Sequence, residues 1–228
     1  VKAGLLALLA LTLCATDFWE TKTPESWSTR EIEKLLTHSP WSHQLTVQFE
    51  GGRIRNTRQL PAPGVDASSN EPGRSPAAQP PIPEAPVIPI EIRWHSAPAV
   101  RQALIRTQQL NPNPYTTFAG KPGPANAPGY IIVVSGFPQG MGSGPAGILE
   151  KTLFEGCALA VKGRAPIKPI GVDVAPIGRT LDAMITFPKT DPLSMDDKEV
   201  EFSMPFEARI LRVKFRLAEM RIGGRLDL

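Results

Sequence analysis

Few residues in this chain have the types and spacing that chemistry demands. Its histidines are His38, His43 and His95, and none sits in a His-Glu-x-x-His arrangement, which would put two rings on one helix face around a zinc ion. The cysteines are Cys14 and Cys157, too few and too far apart for a thiolate metal cluster. Gly142, Gly144 and Gly147 match the spacing of a dinucleotide-binding turn, which works when glycines carry the chain straight from a strand into a helix. Here Phe137 to Met141 intervene, and Lys162 and Gly163 stand where a ribose-binding acid belongs. The glycines therefore read as a loop, and no cofactor is expected. No Gly-x-Ser-x-Gly elbow is present to expose a serine nucleophile.

Carboxylates need no local motif, because paired acids meet only once the chain is folded. A carboxylate-dependent hydrolase would require two of Glu150, Glu155, Asp173 and Asp182 to converge in a cleft. Asp191, Asp196 and Asp197 suggest calcium by type, but Pro192 interrupts them and turn capping accounts for them better. Arg209, Arg212, Lys214, Arg216, Arg221 and Arg225 form a basic stripe suited to an anionic surface. Trp19, Trp27 and Trp41 have the ring area for a sugar platform, or for wedging a helix onto a sheet, which is the expectation here.

The elements that must position these residues can be read from periodicity. Ser28 and Glu31 form a capping box, Trp27 precedes it as a staple for Ile32, and Ile32, Leu35 and Leu36 give a helical stripe that Ser39-Pro40 ends. Leu45 to Phe49 alternates as a strand. So does Ile88 to His95, with Ile90, Ile92 and Trp94 on one face and Glu91, Arg93 and His95 on the other. Ser96 is the expected cap of a helix from about Ala97 to Leu110, stopped by the Asn-Pro repeat at 111–114. Tyr130 to Val134 is apolar throughout, as in a strand buried on both faces, and the chain from Leu153 reads mostly as strand.

One hairpin can be predicted residue by residue. With Pro205 to Ala208 as its loop, Val200 faces Val213 and Phe202 faces Leu211. Glu201, Glu199 and Asp197 then meet Arg212, Lys214 and Arg216 on the opposite face. In that ladder three of the six basic residues are already paired. The fold class expected is α+β: an antiparallel sheet or sandwich with two short helices in its N-terminal half and Pro-rich insertions.

Composition bounds the rest. The 228 residues are 41% apolar, enough for a core, yet 25 prolines imply much extended or irregular chain. Residues 51–87 carry the densest prolines without apolar periodicity and read as an insertion, a partly polyproline-like spacer. They divide a helix-and-strand segment at 16–50 from an α+β domain at 88–228 that packs with it. Residues 1–15 have an apolar run too short to span a bilayer, which takes about 20 residues, with Lys2 in front and Asp17 and Glu20 behind. They read as an export signal, placing the mature chain in the periplasm or outside the cell. Acylation of Cys14 would tether it, and only then is membrane contact expected. A cut near Ala15 that removes the signal leaves Cys157 without a disulfide partner in the same chain. The 25 basic residues, Lys2 among them, nearly balance 22 acidic ones and give no case for nucleic acid.

Several stretches carry a resemblance: FWETK at 18–22, WSTRE at 27–31, LLTHSPW at 35–41, RWHSA at 93–97, FPKTDP at 187–192, DKEVEF at 197–202 and the run at 215–228. Through them the chain resembles a group of secreted bacterial proteins without an assigned activity. The resemblance implies export and supplies no catalytic residue. The function expected is a non-catalytic cell-envelope protein with a binding or structural role toward an envelope component. A secreted carboxylate-dependent hydrolase is the alternative, and an anionic-surface binder using the basic stripe is the third reading.

Overall fold

A computed structural model describes residues 17–48, 87–112, 117–139 and 147–228. Cys14, the expected export segment, most of the Pro-rich insertion and the glycines at 142 and 144 lie outside the described residues. The first described element is the single-turn helix α1 (Phe18–Thr21), followed by α2 (Thr29–Thr37) and strand β1 (Ser42–Gln48). Next come β2 (Val87–Trp94), α3 (Pro98–Leu110), β3 (Gly129–Pro138) and α4 (Ile148–Gly156). The rest is β4 (Ala158–Val161), β5 (Gly171–Ile177), β6 (Thr180–Pro188), β7 (Glu199–Phe206), β8 (Arg209–Arg216) and the short pair β9 (Arg221–Ile222) and β10 (Arg225–Leu226).

The strands form an open five-stranded antiparallel sheet in the order β1-β2-β3-β6-β5, a three-stranded antiparallel sheet β4-β7-β8, and the β9-β10 ribbon. This is the expected α+β class. Strand β3 occupies the centre of the larger sheet, and Tyr130 to Val134 are buried on both faces, which is why that run needs no polar alternation. Pro89 pairs with Thr46 on β1, while the pairing of β2 with β3 begins only at Glu91, so the proline lies where β2 has one neighbour.

Rings from the two sheets meet in the core. Trp94 stands edge-on to Phe215 at 5.2 Å between centroids, Phe187 to Phe202 at 6.2 Å, and Phe137 lies over Phe206 at 6.4 Å. Such pairs each add about 0.5–1.5 kcal/mol beyond the area they bury. Gly136 makes one of these contacts possible. It sits at φ 97 in a bulge between Ser135 and Phe137, and a Cβ there would lie 2.4 Å from the Pro89 carbonyl oxygen. Only glycine fits, and the bulge turns Phe137 into the core.

Local rules succeed for α2. Ser28 accepts from the Glu31 amide, and the Glu31 carboxylate accepts from the Ser28 amide at 2.9 Å. The helix ends at Thr37, slightly before the expected stop. Helix α3 departs from its expected cap: the Ser96 hydroxyl accepts from the Ile131 amide at 3.1 Å instead, and Ala97 holds the cap position without a side-chain bond. The first turn is served from 128 residues away, where Asp227 Oδ2 accepts from the Ala99 amide at 2.9 Å. Helix α4 corrects the reading of strand from Leu153 onward. Leu149 and Leu153, one turn apart, are its buried residues, and strand begins only at Ala158.

The β7-β8 hairpin forms, shifted by two residues from the expected register. Val200 faces Phe215, Phe202 faces Val213 and Phe206 faces Arg209, so Pro205 and Phe206 belong to the strand and the turn is Glu207-Ala208. Glu207 takes φ 52 at the first central position, the backbone that a type II′ turn needs. A slip of two keeps every side chain on its face, so alternation cannot distinguish the two registers. Burial of Phe206 against Phe137 favours the longer strand.

Candidate functional site

Among the described residues, the buried side chains of the Asp, Glu, Lys, Arg and His types are Arg93, His95 and Asp182. Alternation along β2 puts Glu91, Arg93 and His95 opposite the core-facing Ile90, Ile92 and Trp94, on a face that the sequence alone leaves to solvent. Across the sheet, Glu91, Ser135 and Asp182 occupy one row on β2, β3 and β6. A Pro- and Gly-rich strap, residues 117–124, covers them, its 3-10 turn at Phe118–Gly120 packing on β3 and β6.

Side chains hold that strap by its backbone. Asp182 Oδ2 accepts from the Thr117 hydroxyl at 3.1 Å and from the Ala119 amide at 3.4 Å. Arg93 donates through Nη1 to the Ala119 carbonyl at 2.8 Å and through Nε to the Leu36 carbonyl at the end of α2 at 3.1 Å, and its Nη2 pairs with Glu91. Helix α3 contributes Gln108, which donates to the Gly120 carbonyl at 3.4 Å, and Arg101, which donates to the Gly123 carbonyl at 3.0 Å. His95 Nε2 bonds the Lys121 carbonyl at 2.8 Å. A carbonyl only accepts, so this nitrogen carries the proton, and the buried Nδ1 is left without a partner.

Burial decides the charge states. Desolvation, reinforced by the Arg93 charge, pulls the His95 imidazole down to about 4, so the ring is neutral at pH 7. Desolvation also raises the Asp182 carboxyl, opposed by its bonds to Thr117, Ser135 and Ala119 and by Arg93. A neutral imidazole, a guanidinium and a carboxylate are groups an enzyme could use. Here each bonds to the protein's own atoms, with backbone groups of the strap among the partners of all three, and together they anchor a segment whose regular structure is a single 3-10 turn.

Of the residues nominated by sequence, Asp182 lies in this cluster and the others fall elsewhere. Arg212 pairs with Glu201 at 3.3 Å and Lys214 with Glu199 at 2.7 Å, the expected partners reached diagonally across the shifted ladder. Arg216 pairs with Glu219 at 3.1 Å rather than with Asp197. Asp197 instead caps the turn at Ser194 and reaches Arg164 at 3.0 Å. Arg209 begins β8 beside the turn, while Arg221 and Arg225 are exposed on the β9-β10 ribbon. The stripe is therefore divided between a strand and a separate ribbon. His43 lines an open depression of about 400 Å³ with Pro40, Glu199, Lys214, Arg216 and Glu219, its ring edge-on to Phe215.

Trp19, Trp27 and Trp41 are all buried, in contact with one another or with Phe18, so they wedge the N-terminal helices rather than offer a stacking platform. Cys157 is enclosed, and burial pushes its thiol up to about 12, which keeps it protonated and unreactive. Of the four carboxylates, Asp182 is buried on β6, Asp173 is exposed on β5, and Glu150 and Glu155 lie on α4. Among the described residues, no three His, Cys, Asp or Glu side chains gather as metal ligands.

Sequence reasoning passed over the Arg93–His95–Asp182 cluster. The available signal was Asp182 itself, a lone carboxylate inside the apolar run from Leu181 to Phe187. No family model, curated protein or solved structure matches the chain.

Proposed function

We propose that this chain is an exported, non-catalytic component of the cell envelope with a binding or structural role. The observation that carries this reading is how its buried polar groups are used. Arg93, Asp182 and His95 hold the strap and the end of α2 through backbone atoms and the Thr117 hydroxyl, so the groups best suited to acid–base work are spent on architecture. Export is supported by the apolar run at residues 3–13 behind Lys2, and by the resemblance of the motifs at 18–22, 27–31 and 215–228 to secreted bacterial proteins.

The carboxylate-hydrolase alternative draws less support from the arrangement, since Asp182 is committed to Thr117 and Ala119 while Asp173 and Glu155 face solvent. An anionic-surface role is likewise weakened by the Glu199, Glu201 and Glu219 partners of Lys214, Arg212 and Arg216. Cross-linking in intact cells, followed by mass spectrometry, tests the binding role. The expected result is one envelope component recovered reproducibly with the chain. Recovery of cytoplasmic proteins alone would overturn the reading.

A further inference from the structure

The strap has an unusual attachment. Its backbone makes no strand ladder, and the bonds that fix it come from side chains on β2, α3 and β6. His95 lies under its middle: Nε2 holds the Lys121 carbonyl, and Gly123 passes so close that a Cβ there would lie 3.4 Å from the ring. A protonated imidazole would bear a second N–H at Nδ1, a buried position with no acceptor, next to the enclosed Arg93 guanidinium. An unsatisfied buried donor and a like charge both disfavour that state while the strap is closed.

We propose that residues 117–124 form an acid-releasable strap, with His95 as the group whose protonation opens it and uncovers the outer face of β3 at Ile131 and Val133. Opening lets water reach the imidazolium and separates the Ala119 carbonyl from Arg93. The other charged groups around the site are Glu91 beside Arg93 on β2, Asp182 on β6, Arg101 on α3 and Lys121 on the strap itself. Asp182 acts in the opposite sense, because its raised carboxyl favours the protonated form in the closed state. The wild-type response must therefore be read against a variant lacking the imidazole.

Hydrogen exchange provides that comparison. The Ala119 amide is bonded to Asp182 in the closed strap and reports its opening, while the Gly120 and Lys121 amides bond within the strap and report its own turn. With the ring at about 4 when closed and near its ordinary 6.5 when open, opening should rise roughly 20-fold from pH 7 to pH 5 after correction for intrinsic exchange. His95→Gln retains a donor for the Lys121 carbonyl but does not titrate, and should show none of that rise. The proposal is overturned if both proteins respond in parallel, or if the strap exchanges only together with β3 and β6. Should the variant not fold, NMR titration of the wild-type His95 ring decides the matter. A midpoint below about 5 supports the strap, and one at or above 6.5 overturns it.

Discussion

Arg93 is a buried cation with three protein partners. It joins α2, β2 and the strap through Leu36, Glu91 and Ala119. Removing one member of a buried charged network leaves the others uncompensated, at about 3–5 kcal/mol. Arg93→Met should accordingly lose about 3 kcal/mol in urea denaturation, with Arg93→Lys recovering less than half because an ammonium cannot serve three acceptors in a fork. A loss below about 1 kcal/mol would mean that the cluster is solvated and the anchoring account wrong. Alternation along β2 places Glu91, Arg93 and His95 on one face, so their grouping was legible in the sequence. Their burial was not, since the covering segment arrives through a Pro- and Gly-rich stretch that is fastened to the rest of the fold by side chains distant in sequence.

Elements differ in how far they can be read locally. The Ser28–Glu31 box closes within four residues, and the sequence places it correctly. For α3, by contrast, Ser96 satisfies the local rule for a cap, yet β3 takes its hydroxyl and Asp227 serves the helix. Nothing near α3 announces that partner. Asp227→Ala should cost about 1 kcal/mol, the usual worth of a capping carboxylate, and should speed exchange in the first turn of α3 without altering α2. Unchanged exchange at Ala99 would show that the bond contributes nothing. Helix α4 escaped notice because Ile148 and Phe154 remain exposed and blur a stripe of only two buried leucines. The β7-β8 hairpin was legible in its partners and faces but not in its register. Turn length sets the register, and a two-residue turn with Glu207 in a left-handed backbone is not what the composition of 205–208 suggests.

At the scale of the whole molecule, the antiparallel α+β class followed from period-two runs and from the continuous apolar run that became β3. The opposition of the two sheets through Trp94–Phe215, Phe187–Phe202 and Phe137–Phe206 did not, because ring contacts between distant segments leave no periodic trace. The buried polar groups fasten the strap and the end of α2 to the larger sheet, and we propose that residues 1–15 direct the chain out of the cytoplasm. Cell fractionation with mass spectrometry of the mature N-terminus tests it most directly. The account predicts a chain in the envelope or the medium that starts after Ala15, or at an acylated Cys14. A cytoplasmic chain that retains residues 1–15 would contradict it.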